Sequence, residues 1–468
     1  MVEMVVDNYI PCLDGIPVFS HSKTNELWVM VLEKAWAKLL GSYEAMIHGR
    51  VHETMRDLLG APAYEHKLAD EGALEILKKG FEQKYLLSAG VDADSSEESA
   101  QFQTLGLDPK YSFAVLGIYE VKKDGNAINL VHLRNPWGQL TWTGDWSEKS
   151  ACWTPALQKQ VGWASSCEGC NFWMSFEDFS KYFTRLQLCK YVKGYHFSSW
   201  KGESSTETDY HMFKLAVPHH GPHTFAVTQE DKRSASKESW KDYDYSPCHM
   251  VVAKCHKKAL DDGIEFIGEA MSNPGERDTY LEVPELAVGT YYVFVDMRWR
   301  GFAKSEVNGS TIQNTFHINC YGSSATAFRD DRAAKYPKKT VLAKIQEAKM
   351  EKGLTEDLEK PIENLTGKKI TRWECLKAPY GYKFIVVKNE DEENTYMEEC
   401  KFTAFEGAKV VGTNVTNRGC GYRFAVGPGH TGFLFVQTEL AGFEVTGDYS
   451  PAAKVLASED EANVALVW

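Results

Sequence analysis

An α+β chain is what this sequence predicts, with a mixed region of helices and strands followed by two antiparallel β-sandwiches. Three observations carry that expectation. Trp28, Leu32, Ala35, Trp36 and Leu39 recur at helical spacing, which predicts an early helix with one buried face. Past about Tyr191 the chain turns to short strands separated by Gly, Pro, Asp and His turns, the spacing of a sandwich. From about 323 to 370 it becomes strongly charged, with Lys338, Lys339, Lys344, Glu347, Lys349, Glu351 and Lys352 around few large apolar residues, and then returns to strands. The expected boundaries are 1–192 for the mixed region, 193–322 for the first sandwich, 323–370 for a charged linker and 371–455 for the second sandwich.

The most informative segment of the mixed region is Val131-His132-Leu133-Arg134-Asn135-Pro136-Trp137-Gly138, a strand running into Asn-Pro and a tight turn. It continues into Trp142-Thr143-Gly144-Asp145-Trp146. Other segments stand in order around it: Val5-Val6-Asp7 with Ile10-Pro11 and Asp14-Gly15-Ile16-Pro17-Val18-Phe19, then Asn25-Glu26-Leu27-Trp28 and the helix from Leu32 to Leu39. Gly41-Ser42-Tyr43-Glu44-Ala45 follows the helix, and Asn171-Phe172-Trp173-Met174-Ser175-Phe176-Glu177-Asp178-Phe179 closes the region. Taken in this order, the segments resemble the calpain family of cysteine proteases, from the hairpin before its long helix to the end of the catalytic domain.

The resemblance implies a papain-like site. Such a site needs a thiolate nucleophile, an imidazole that takes and returns the proton, and an Asn amide that orients the ring. The chain resembles the second half-domain, which carries the His and the Asn, so the Cys-bearing first half is expected to be absent. Asn135 falls on the triad asparagine and Trp137 on the indole that shields it. The family's Gly-His-Ala-Tyr-Ser-Val run corresponds to Lys110-Tyr111-Ser112-Phe113-Ala114-Val115, which puts Tyr111 at the histidine position. A phenol with an ordinary pKa of about 10 is roughly 0.1% ionised at neutral pH, a far poorer proton acceptor than an imidazole.

Two residues are candidate substitutes. Alternation along 129–135 puts Asn129, Val131, Leu133 and Asn135 on one strand face and His132 on the other, which makes His132 a strand-surface histidine and not a base. Cys12 lies in the entry hairpin, away from any helix N-terminus that would favour a thiolate, and is expected to be a small buried or half-buried thiol.

In the later regions, Phe213–Val217, Thr224–Thr228, Met250–Ala253 and Tyr291–Val295 are the expected strands of the first sandwich. Tyr280 to Val293 is similar to a strand, turn and strand of the calpain-type sandwich. Ala333 to Lys352 is expected to form a solvated helix, broken by Pro337 near its start. Lys383–Val387, Cys400–Phe405, Tyr422–Val426 and Gly432–Val436 supply strands of the second sandwich, read as a distant repeat of the first.

The family's calcium site is eroded. Its two acidic ligands fall on Thr141 and Glu148, and its later acidic cluster falls across Cys167-Glu168-Gly169-Cys170-Asn171, a poor oxygen set for a hard cation. Weak or no calcium binding is expected. One Cys167-x-x-Cys170 pair with no spaced second pair does not make a zinc site. The acidic run Asn389-Glu390-Asp391-Glu392-Glu393-Asn394 reads as a charged hairpin tip, the alternative being a site for calcium or a basic protein surface, and Lys232-Arg233 and Lys257-Lys258 are too sparse to argue for membrane contact.

Composition excludes other classes. A net charge of −13, from 52 basic and 65 acidic residues, argues against nucleic acid as the main partner. Eleven cysteines without pairing rhythm point to a reducing, cytoplasmic setting, and no run is long and apolar enough to span a bilayer. The expected function is that of an impaired or inactive calpain-like protein binding a protein partner, cytoskeletal in kind, as the kinetoplastid calpain-like proteins with Tyr in place of His suggest. The alternative is a calcium-dependent cysteine endopeptidase that lacks its upstream Cys-bearing half-domain.

Overall fold

The computed structural model describes residues 4–20, 26–47, 49–109, 111–136, 141–163, 170–204, 208–234, 244–257, 260–272, 275–299, 306–307, 310–311, 314–330, 336, 338–352, 370–375, 382–401, 408–412, 415–418, 421–438 and 450–457. It is a mixed α+β chain of two compact units, Met1–Phe197 and Ser198–Trp468.

The first unit opens on a hairpin of β1 (Cys12–Leu13) and β2 (Ile16–Pro17). Asp14 and Gly15 at its tip have φ of 52° and 79°, the paired left-handed backbone of a two-residue turn that suits Asp-Gly. Helix α1 (Trp28–Leu40) follows and stops at Gly41, whose φ of 96° an L side chain rarely adopts. Polar contacts hold α1 to the preceding segment: Glu33 accepts the Ser20 hydroxyl at 2.6 Å, Lys38 Nζ donates to Val5 O at 2.6 Å, and Lys34 pairs with Asp7.

The buried face expected for α1 is not the one observed. Trp28, Leu32 and Leu39 are exposed and Ala35 and Trp36 half-buried, while Met30, Ala37 and Leu40 are buried. No side chain of α1 joins the main core cluster of this unit, so the helix buries only the Met30, Ala37 and Leu40 side.

That core lies on a six-stranded antiparallel sheet in the order β3-β8-β4-β5-β6-β7. Its strands are β3 (Ala63–Lys67), β4 (Leu86–Gly90), β5 (Ser112–Lys123), β6 (Asn126–Arg134), β7 (Asn171–Ser175) and β8 (Arg185–Cys189). Helices α3 (Ala73–Glu82), α4 (Ser96–Thr104) and α6 (Phe176–Tyr182) supply Leu77, Phe102 and Phe179 to one sheet face, where they meet Phe113, Leu133 and Phe172. Ser95 and Ser175 cap α4 and α6 by accepting the backbone N–H three residues on. Helix α2 (Val51–Leu59) lies against β3 and β8, and α5 (Pro155–Gln160) adds Leu157 to a second cluster with Val121, Leu130 and Trp173.

In the second unit, β9 (His196–Ser204), which starts at the end of the first, pairs into a four-stranded sheet, β14-β11-β18-β9, with β11 (Gly221–Gln229), β14 (Asp278–Leu286) and β18 (Asn314–Gly322). A five-stranded sheet, β13-β12-β15-β10-β19, is built from β10 (Thr208–Val217), β12 (Cys248–Cys255), β13 (Ile264–Met271), β15 (Gly289–Arg298) and β19 (Ala327–Asp330). Phe213, Val252 and Val293 of the larger sheet share one core with Phe225, Phe316 and Ile318 of the smaller. A short hairpin of β16 (Glu306–Val307) and β17 (Ser310–Thr311) intervenes.

Helix α7 (Lys338–Glu351) comes next, and the expectation of a solvated linker helix is corrected there. Val341, Ala343, Ile345 and Ala348 are buried against strands to either side. The remaining strands form the sheets β20-β21-β26-β23 and β24-β25-β22-β27. They are β20 (Ile370–Cys375), β21 (Tyr382–Asn389), β22 (Asn394–Lys401), β23 (Ala408–Gly412), β24 (Val415–Arg418), β25 (Gly421–Val426), β26 (Thr431–Thr438) and β27 (Ser450–Ala457). The two sheets approach closely at Gly432, where a Cβ would come within 2.3 Å of Val426 Cγ2 and 2.8 Å of Phe424 Cζ. The strand expected over Cys400–Phe405 begins earlier, as β22, and 402–405 lie outside the described residues. The acidic run links β21 to β22, with Asp391 Oδ1 accepting the backbone N–H of Glu393 and Asn394 at 3.0 and 2.8 Å.

Candidate active site

Strands β5 and β6 pair antiparallel, with Ala114 opposite Arg134 and Val115 opposite Leu133. Tyr111 therefore precedes the start of β5 at the same sheet end where Asn135 follows β6. Side chains alternate across a strand, and Phe113, Val115, Val131 and Leu133 all enter the main core, so Tyr111 and Asn135 fall on that core face. Tyr111 is half-buried and packs on the core, and its N–H donates to Asp108 O at 3.1 Å. Asn135 is fully buried, and its N–H donates to Cys170 O at 2.8 Å. The structure thus brings together the two residues assigned to the triad positions. Trp137 lies outside the described residues.

His132 is on the opposite face, as alternation requires, but it is not a surface residue. Its ring stacks on Trp173 with centroids 4.1 Å apart and planes within 2°, because the β6–β7 register sets the two opposite each other. Burial pushes its imidazole down to about 4, so it is neutral at physiological pH. Its place against Trp173, on the face opposite Asn135, sets the ring apart from Asn135.

The tryptophans that follow the Asn divide between the two faces. Trp142 joins the main core, packs 5.3 Å from Tyr182 and donates its Nε1–H to Asp145 O at 2.7 Å. Trp146, Trp153, Trp163 and Trp173 form a separate aromatic group on the His132 side, with Trp153 and Trp163 centroids 4.5 Å apart. Sequence reasoning did not foresee this backing layer, although the density of Trp between 142 and 173 is its signal.

Thr141 is half-buried, and its carbonyl lies so close to Gly106 that a Cβ there would approach it to 1.7 Å. Gly106 holds φ of 82°, and Thr143 N–H donates to Leu105 O at 3.1 Å, so the segment is fastened to the α4 turn by its backbone. Glu148 is exposed. Among the described residues, no three His, Cys, Asp or Glu side chains gather where they could hold a metal ion. Cys167, Glu168 and Gly169 lie outside those residues.

Cys12 is exposed, which corrects its expected burial, and its Sγ donates to Ile10 O at 3.4 Å. Cys170, beside Asn135, was not singled out as a site residue. It is buried, as is Cys189, whose thiol burial pushes up to about 12. A thiol raised in this way, as at Cys189, is a poor nucleophile.

Residues 1–190 match the family model for calpain family cysteine proteases. Human Calpain-9 is 32% identical over 302 residues, covering 60% of this chain and 42% of that protein. The bovine Calpain-1 catalytic subunit is 36% identical over 209 residues, covering 42% of this chain and 29% of that protein, and rat Calpain-9 is 38% identical over 194 residues, covering 40% and 28%. The chain spans less than half the length of these relatives. Among solved structures, a clostridial cysteine protease covers 55% of this chain and 70% of its own at 10% identity and a TM-score of 0.19, which bears nothing on the fold. On the sequence matches and the order of their motifs, the domain at residues 1–190 of this chain belongs to the calpain family of cysteine proteases.

Proposed function

We propose that this chain is a catalytically inactive calpain-family protein that binds a cytoskeletal protein partner through a degenerate papain-like half-domain and two calpain-type β-sandwiches. One observation carries the reading: Tyr111 and Asn135 share one end and one face of adjacent strands, while the imidazole of β6, His132, is on the other face. Loss of one triad member in such sites removes on the order of 10⁴ to 10⁶ in rate. The paired sheets of the second unit support the sandwich assignment, and the 60% coverage by human Calpain-9 supports extending the likeness past residue 190.

The purified chain is expected to leave casein intact with or without millimolar calcium. Calcium-dependent cleavage that a thiol alkylator abolishes would sink the inactive reading. Tyr111→His alone is expected to create no activity, since among the described residues no accessible thiol stands at Asn135; activity from that single change would reveal a nucleophile elsewhere.

A second reading is a calcium-dependent cysteine endopeptidase completed by a Cys-bearing half-domain. Its support is the exposed apolar run of Tyr9, Leu13, Ile16, Phe19, Leu27 and Trp28, surface of the kind a partner covers. Cleavage by Tyr111→His joined to such a half-domain, and none with Tyr111 in place, would assign the loss of activity to this residue.

A further inference from the structure

Helix α7 is poorly built to stand alone. It has 14 residues, no acidic residue in its first turn, and Lys338 and Lys339 at the end where the helix dipole disfavours cations. Helices this short are marginal in water, so its order comes from packing.

It packs on both sides. In the five-stranded sheet Val252 and Val293 face the core shared with the smaller sheet, whereas their neighbours Val251, Ala253, Tyr292 and Phe294 point outward. Val341, Ile345 and Ala348, at helical spacing, cover that outward face. Lys349 pairs with Glu269, which also accepts from His249 Nε2 at 3.0 Å, and Lys352 Nζ donates to Phe266 O at 2.9 Å. On its other side, Ala343, Leu342 and Met350 meet Trp373, Val386 and Phe433. Trp373 is opposite Val386 in register and Val386 opposite Phe433, so the three form one row. The adjoining Gly432 faces Phe424 and Val426 of the partner sheet, which makes the Phe433 row the outer face.

We infer that α7 is the middle layer of one five-layer body, fastening the outer face of a sheet in the first sheet pair to the outer face of a sheet in the second, so that the two pairs open and unfold together. The proposal rests on packing within 198–468 and is independent of whether the protease half is active.

Hydrogen exchange on the full chain through a urea series tests it. The α7 amides are expected to exchange at least about 100-fold more slowly than an unpacked helix, and to share one unfolding midpoint with β12–β13 and β20–β21. Ile345→Asp is expected to deprotect α7 and to separate the midpoints of the two pairs. Should that variant not fold, Lys349→Ala is expected to speed α7 exchange about fivefold at low urea. Exchange of wild-type α7 at the rate of an unpacked helix, separate midpoints in the wild type, or a common midpoint surviving after α7 is deprotected would each overturn the inference.

Discussion

Helices α1 and α7 are nearly equal in length, 13 and 14 residues, and each behaves opposite to its composition. The first is rich in Trp, Leu, Val and Met and leaves Trp28, Val31, Leu32 and Leu39 exposed. The second alternates Lys and Glu with small apolar residues and buries Val341, Ala343, Ile345 and Ala348. The difference teaches that apolar periodicity announces a face but not what covers it. A helix whose apolar residues are few is still buried when two sheets meet on it, and its Lys stems add cover while their ammonium groups reach acceptors at the rim.

The largest expected effect lies in α7. Ile345→Asp places an unpaired carboxylate in a layer where Ile345 is 3% exposed, and it is expected to cost about 3–5 kcal/mol of the stability of the second unit in urea unfolding. A loss under about 1 kcal/mol would mean that α7 does not hold that face, and the contrast between the helices would collapse.

A smaller effect follows from the anchor at Glu269. Burial alone would raise its carboxyl, but the hydrogen bond from His249 and the charges of His249 and Lys349 outweigh it and hold the value at about 2, against 4.5 when unfolded. A depressed carboxyl stabilises the fold above its unfolded value, and that contribution disappears as pH falls from 4.5 towards 2. Glu269→Gln is expected to cost about 1–2 kcal/mol at neutral pH and to flatten the stability profile across that acid window. An unchanged profile would remove the anchor from the account.

The smallest effect is expected in α1. Leu32→Asp is expected to change stability by no more than about 0.5 kcal/mol, since Leu32 is 37% exposed and lies outside the main core. A large loss in this chain would show that the apolar face of α1 is covered without any added half-domain, and would remove the support for the second functional reading.

The candidate site was more legible than the helices. Asn135 and Tyr111 were placed by motif, and period-two alternation put His132 on the far face because that relation needs only the local strand. The stacking of His132 on Trp173 was not legible, since it depends on the β6–β7 register between segments about 40 residues apart in a long-range pairing. Cys170 was missed as a neighbour of Asn135 for the same reason.

By itself the sequence determined the change from mixed helix and strand to repeated strands, several of those strands, and the faces of Val131, His132 and Leu133 along β6. These are local matters of spacing and residue type. Tertiary structure alone decided which apolar faces found cover. It left Cys12 and the α1 row in the open, put Trp173 behind His132, and set α7 between two sheets. Burial is a property of pairs of surfaces brought together by long-range contacts, and one segment read alone holds only half of each pair.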